Sequence, residues 1–131
     1  MRFIYETFVT VTVSLVSLVD DDDSVRKSLP ELLSHFNFTV RSFATAEEFL
    51  ASDSVGQTGC LILDVVLPGM SGPALQRELQ RRGQRIPIVF ISAYPDETFR
   101  KEMLAQGAVE YLFKPFSESA LLAAINAALG A

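Results

Sequence analysis

Along the chain, the spacing of apolar positions switches repeatedly between a period of two and one of about 3.6, the spacings that mark strands and amphipathic helices. Ser14-Leu15-Val16-Ser17-Leu18-Val19 reads as a strand and runs straight into Asp20-Asp21-Asp22-Asp23. Val25, Leu29, Leu32, Leu33 and Phe36 then recur at helical spacing, predicting a first helix capped by Asp23 or Ser24. Pro30 lies inside it and is expected to kink or loosen it, since proline removes one backbone donor. Phe38 to Phe43 alternates as a second strand, and Thr45-Ala46-Glu47-Glu48 is a capping box that opens a short helix with Phe49 and Leu50 inward. After a polar turn from Ser52 to Thr58, Gly59-Cys60-Leu61-Ile62-Leu63-Asp64 is a short apolar run that ends on a carboxylate, followed by the loop Pro68-Gly69-Met70-Ser71-Gly72. A third helix follows to about Arg82 with Leu75 and Leu79 inward, and Ile86 to Ile91 is a fourth strand ending in Ser92. Asp96 to Gln106 gives a fourth helix stopped by Gly107. Val109 to Phe113 is a fifth strand ending in Lys114-Pro115, and a last helix opens at Ser117 and carries Leu121, Leu122, Ile125 and Leu129.

Strands alternating with helices specify right-handed crossovers, hence an α/β, doubly wound parallel sheet covered on both faces. The strands are short continuous apolar runs, as strands buried on both sides should be. In such a sheet the carboxyl ends of the strands share one edge, where ligands bind. That edge receives Asp20 and Asp21 from strand one, Asp64 from strand three, Ser92 from strand four and Lys114 from strand five. Singly, each has an ordinary structural explanation: the aspartates as caps, Ser92 as a turn hydroxyl, Lys114 as a solvated cation. Jointly they put three carboxylates, a hydroxyl and an ammonium in one crevice, which chance turn chemistry explains poorly.

Composition narrows the function. A chain of 131 residues is one domain's worth. Its net charge of -5 argues against a nucleic-acid surface, because phosphate binding needs clustered Lys and Arg. The lone Cys60 forms no internal disulfide and reads as a small buried hydrophobe in a reduced, cytoplasmic setting. Residues 1–13 read as an N-terminal extension that prolongs the first strand, with neither the charge pattern of a secretory signal nor the uniform apolarity of a membrane span. An added strand there would need a sheet edge or another chain, and so a swapped or paired dimer. His35 stands alone, without a second histidine to make a phosphorelay donor.

Four motifs, in order, carry a resemblance: Leu18-Val19-Asp20-Asp21-Asp22; Leu63-Asp64 through Leu67-Pro68-Gly69-Met70-Ser71-Gly72; Phe90-Ile91-Ser92-Ala93; and Tyr111-Leu112-Phe113-Lys114-Pro115-Phe116. Over roughly Ser14 to Leu129 the chain resembles the receiver domains of two-component response regulators, within the CheY-like superfamily. It is most similar to receivers of the FixJ type through Phe43 to Leu50 and Gly107-Ala108-Val109. The resemblance implies a flavodoxin-like sheet in the order 2-1-3-4-5. It also implies that Asp64 accepts a phosphoryl group from a sensor histidine kinase, and that magnesium is held by Asp21, Asp64 and the Val66 carbonyl, with Asp20 acting through water. Lys114 and Ser92 would engage phosphoryl oxygens, and Ser92 and Tyr111 would form a switch acting on the face of the fourth helix, fifth strand and fifth helix, where dimerisation or an output partner is controlled. Lys114-Pro115 matches the family's cis peptide. Two departures stand out. Ser92 replaces the commoner threonine, and Val66 and Tyr94 occupy the positions that tune access of hydrolytic water, pointing to a long-lived acyl phosphate.

Two rivals remain at this stage. Asp21-Asp22-Asp23-Ser24-Val25 fits the D-x-D-x-[TV] start of haloacid-dehalogenase-like magnesium phosphatases, but that reading leaves Asp64 idle and lacks a later acidic pair. A phosphate-independent interaction module would leave all five site residues unexplained. The receiver reading makes the chain a phosphoacceptor rather than an enzyme, one that assists only its own phosphorylation and dephosphorylation.

Overall fold

The computed structural model describes residues 15–130. The extension 1–13 and the strand prolongation expected of it lie outside the described residues.

Five strands form one parallel sheet: β1 (Leu15–Val19), β2 (Thr39–Phe43), β3 (Thr58–Asp64), β4 (Ile88–Ser92) and β5 (Glu110–Phe113), in the order β2-β1-β3-β4-β5. This is the flavodoxin-like order. The helices that alternate with them are α1 (Asp23–Ser34), α2 (Ala46–Ala51), α3 (Gly72–Arg81), α4 (Glu97–Ala105) and α5 (Glu118–Gly130).

Because neighbouring side chains on a strand face opposite ways, β3 splits its apolar run between two cores. Leu61 and Leu63 pack with Phe49, Leu75, Leu79 and Met103, from α2, α3 and α4. Cys60 and Ile62 pack with Leu29, Leu33, Leu121 and Ile125, from α1 and α5. Each fully buried side chain of this size contributes about 1.5–3 kcal/mol. Burial also pushes the Cys60 thiol up to about 12, which leaves it a packing group with little thiolate at neutral pH.

Some local details differ from the sequence reading and others, the Ser117 start of α5 and the Gly107 stop of α4, agree with it. The α1 cap is Asp22, whose side chain accepts the Ser24 N–H at 2.8 Å, because Asp23 and Ser24 are already the first helical residues. α1 runs through Pro30 without a break, and its buried Leu29 and Leu33 hold both flanks of the proline against the sheet. Phe36 falls past the end of α1 and is exposed, since the chain leaves the helix at His35 and turns through Asn37 at φ 66°. The capping box of α2 forms at Thr45, which accepts the Glu48 N–H at 3.1 Å, and only its return bond is displaced, the Glu48 carboxylate reaching the Ala44 N–H at 3.3 Å instead of that of Thr45. Ser117 caps α5 by accepting the Ala120 N–H at 3.0 Å. Gly107, at φ 107°, ends α4 in a conformation that a side chain would strain.

Strand register decides what meets at the carboxyl edge. Val19 lies opposite both Phe43 and Leu63, so Asp20 and Asp64, each the next residue, leave neighbouring strands at one level. Asp64 lies opposite Ile91, and Ser92 lies opposite Phe113, so Lys114 emerges one step past Ser92.

Candidate functional site

Three carboxylates converge at that edge: Asp20, Asp21 and Asp64 each place an oxygen within 4.8 Å of the others. Asp20 is 0% exposed and Asp64 7%, while Asp21 is open to solvent. An ammonium stands opposite, with Lys114 Nζ 2.8 Å from Asp20 Oδ2 and 3.3 Å from Asp64 Oδ2.

Backbone groups fix the rest. Asp20 Oδ1 accepts the Asp22 N–H at 2.9 Å, and Asp64 Oδ1 accepts the Val66 N–H at 3.3 Å. The Asp20 N–H in turn donates to the Phe43 carbonyl, which ties the end of β1 to β2. The Lys114 N–H donates to the Ser92 carbonyl at 2.7 Å, and the Lys114–Pro115 peptide bond is cis.

The Ser92 hydroxyl does not join the cluster. It is buried and turned to its own loop, accepting the Tyr94 N–H at 3.0 Å, with the Tyr94 carbonyl 3.3 Å away. Tyr111 is buried, with the rings of Phe90, Phe99 and Phe113 around it. Val66, two residues past Asp64, and Tyr94, two residues past Ser92, are 54% and 63% exposed.

Burial pushes the Asp64 carboxyl up to about 6; the nearby Asp20 charge adds to the rise, while Lys114 and the Val66 N–H hold it down. A carboxylate of that basicity is still mostly ionised at neutral pH and is a better nucleophile than an ordinary aspartate. Burial opposes the charge on Lys114, but the hydrogen bond to Asp20 and the charges of Asp64 and Asp20 more than offset it, and its pKa stands above the usual lysine value. The two shifts pull opposite ways on one pair. Burial leads the rise on Asp64 and the two neighbouring carboxylates produce the rise on Lys114, while among the described residues the edge holds three carboxylates against one ammonium, an excess of negative charge. A divalent cation would relieve that excess, and an all-oxygen donor set suits a hard one such as magnesium.

Three supports escaped the sequence reading. Arg26 Nη1 donates to the Asp20 carbonyl at 2.9 Å while its other nitrogen pairs with Asp23, so the fourth aspartate of the run serves the loop rather than the cluster. Their three-residue spacing on a helix was a readable signal. Glu47, at the start of α2, accepts the Met70 N–H at 2.9 Å and so latches the loop after β3. Gly72 packs on the backbone of Asp64 itself: a Cβ there would meet the Asp64 carbonyl oxygen at 2.3 Å. Gly72→Ala is therefore expected to displace the strand end that carries Asp64, at a cost of about 1–3 kcal/mol in urea unfolding. Unchanged stability would show that the loop yields freely.

A doubly wound parallel sheet with an acidic cluster and a lysine at its carboxyl edge is an arrangement suited to a hard divalent cation and an anionic ligand. Comparison with known proteins gives the family. Residues 16–126 match the response regulator receiver domain. The chain is 42% identical over 120 residues to the transcriptional regulatory protein TdiR of Thauera aromatica, covering 92% of this chain and 53% of that protein. It is 36% identical over 115 residues to the transcriptional regulatory protein FixJ of Azorhizobium caulinodans, covering 88% and 54%. Among solved structures, the response regulator StyR superposes with a TM-score of 0.83 at 45% identity, covering 89% of this chain and 59% of that one. The FixJ-N crystal structure gives 0.80 at 34% identity, covering 89% and 94%. The chain belongs to the response regulator receiver family of two-component systems, for which phosphorylation and magnesium are general features. It spans about half the length of the curated relatives it matches. Membership removes the basis for the phosphatase reading. Among the described residues, no helix is long and apolar enough to cross a membrane.

Proposed function

We propose that this domain is a phosphorylation-activated switch that receives a phosphoryl group from a sensor histidine kinase onto Asp64. The observation that carries the reading is Lys114 Nζ bridging Asp20 and Asp64 inside the three-carboxylate cluster. An Asp64 oxygen attacks phosphorus as the bond from phosphorus to the kinase imidazole breaks, and the leaving nitrogen keeps the bonding pair. There is little covalent activation for the protein to supply, so positioning and charge neutralisation carry the reaction. Asp21, Asp64 and the Val66 carbonyl would hold magnesium, with Asp20 acting through water. When bound, the metal neutralises charge on the transferring phosphoryl group.

Lys114 is placed to leave Asp20 and Asp64 for a phosphoryl oxygen as charge builds there. Ser92 gives up its Tyr94 partner and turns its hydroxyl toward Asp64. Since Ser92 and Tyr111 lie on adjacent strands, that movement reaches the face of α4, β5 and α5, through which the domain dimerises or meets its output partner. The domain assists its own phosphorylation and dephosphorylation only, works in the cytoplasm and makes no direct nucleic-acid contact. The regulators it resembles are named as transcriptional, which fits a switch whose output acts on transcription. Val66 and Tyr94, two residues past Asp64 and Ser92, hold the positions that in the family tune access of hydrolytic water, and an apolar and an aromatic side chain there would give a long-lived acyl phosphate.

Beryllofluoride with magnesium tests the reading. Amide signals of Asp21, Asp64, Ser92 and Tyr111 are expected to move only when both are present, and size exclusion to show any dimer. Signals indifferent to the pair would refute a phosphoacceptor site.

A further inference from the structure

Among the described residues β5 ends the sheet, so backbone groups that it turns outward have no neighbouring strand to meet. At Tyr111 side chains take that place. The Tyr111 N–H donates to Glu110 Oε1 at 2.9 Å, and the Tyr111 carbonyl accepts from Arg100 Nε at 3.2 Å. Arg100 belongs to α4, and its guanidinium binds both elements: one terminal nitrogen donates to Glu110 Oε1 at 3.3 Å, the other to Glu97 Oε1 at 3.0 Å. The residue before it, Phe99, packs its ring edge-on to that of Tyr111, centroids 6.2 Å apart. The start of α4 is also tied back to Ser92. The Ser92 hydroxyl accepts the Tyr94 N–H at 3.0 Å, the Tyr94 carbonyl accepts the Asp96 N–H at 2.9 Å, and the Asp96 carboxylate caps α4 by accepting the Phe99 N–H at 3.0 Å. A Ser92 that turns toward Asp64 releases the first bond of this run, and the first turn of α4 is then held to β5 by Arg100.

We propose that Arg100 is a positioning residue that acts as a latch: it fastens the first turn of α4 to β5 while Ser92 faces Tyr94, and so sets how readily the domain switches. The proposal rests on the reading of Asp64 as the phosphoacceptor and names a regulator of that site. A ligand moves a two-state equilibrium only by its preference for one state, so contacts made in the resting state alone weaken every ligand that prefers the other. Arg100 and Glu110 are both partly exposed, and each of their bonds is individually weak. A weak latch suits a switch, because phosphorylation has a finite preference to set against it.

The test is an NMR titration of the full chain with beryllofluoride at saturating magnesium, read at the Ser92 and Tyr111 amides. Arg100→Met keeps the apolar stem and removes the guanidinium. It is expected to bind beryllofluoride about three- to tenfold more tightly than the parent, the value of a hydrogen bond of typical strength, while magnesium alone binds both equally. Glu110→Gln removes the charge that the guanidinium meets and serves as the second variant should the first not fold, with a smaller gain in the same direction. A residue that only holds the fold together would lower stability without tightening beryllofluoride. With a parent that responds, affinity unchanged or reduced in the variant that folds, or a gain equally large for magnesium alone, would overturn the latch and leave the phosphoacceptor reading standing. A parent indifferent to beryllofluoride with magnesium would overturn both.

Discussion

Asp64→Asn is expected to abolish labelling by acetyl phosphate and, in metal-free buffer, to melt higher than the unaltered chain. The first result follows from the loss of the nucleophilic oxygen pair. The second follows from the position of Asp64, which is buried beside Asp20 and whose carboxyl stands at about 6 instead of 3.8. A group that binds its proton more tightly when folded withdraws stability as pH rises. The penalty is absent below the unfolded value, near pH 4, grows through the interval to about 6 and is complete above it. Asparagine keeps the shape and removes the charge. Discounted for the solvent that reaches the mouth, the gain at pH 7 is about 1–2 kcal/mol, or roughly 3–8 °C in melting temperature. Magnesium should narrow the gap, because the unaltered chain has the fuller ligand set and gains more from binding. The measurements are thermal melts at pH 5 and 7.5 with and without the metal. A variant less stable than the parent at pH 7.5 without metal would contradict the picture of unrelieved negative charge.

This tension at the strand ends bears on what the sequence made legible. Short apolar runs and stripes of period 3.6 predict each element because every apolar residue of β3 has a face to fill, and the one-edge rule then brings Asp20, Asp64 and Lys114 together without coordinates. The order 2-1-3-4-5 was not derivable from pattern, since any right-handed winding of five buried strands reads alike; it came by resemblance. What pattern could not show were supports made by backbone atoms. Gly72 looks like any loop glycine until the Asp64 carbonyl is seen against it. Asp22, rather than Asp23, caps α1 because four adjacent aspartates look alike in sequence and only the path of the backbone distinguishes them. The Ser92 hydroxyl offered no signal of its preference for Tyr94, because a buried hydroxyl takes whichever partner its rotamer reaches.

Lys114→Met should act in the opposite sense to Asp64→Asn. Among the described residues its ammonium is the one cation paired with Asp20 and Asp64, at 2.8 and 3.3 Å. Removing one partner of a buried ion pair leaves uncompensated charge. Lys114 is itself partly open to water, so the cost in metal-free buffer at pH 7.5 is about 1–3 kcal/mol by urea unfolding. The deficit should shrink toward pH 5. Without the lysine the Asp64 carboxyl rises further, and protonating it removes the repulsion from Asp20 that the ammonium had masked. Magnesium should bind the variant more tightly than the parent, since a fixed positive charge no longer competes for the same oxygens. Phosphate uptake should nonetheless fall, because no ammonium remains to meet the phosphoryl oxygens. Tighter metal with weaker phosphorylation separates a lysine that serves the transferred group from one that merely holds the fold together. A variant with the parent's stability at both pH values would mean that the ion pairs of Lys114 do not form in solution.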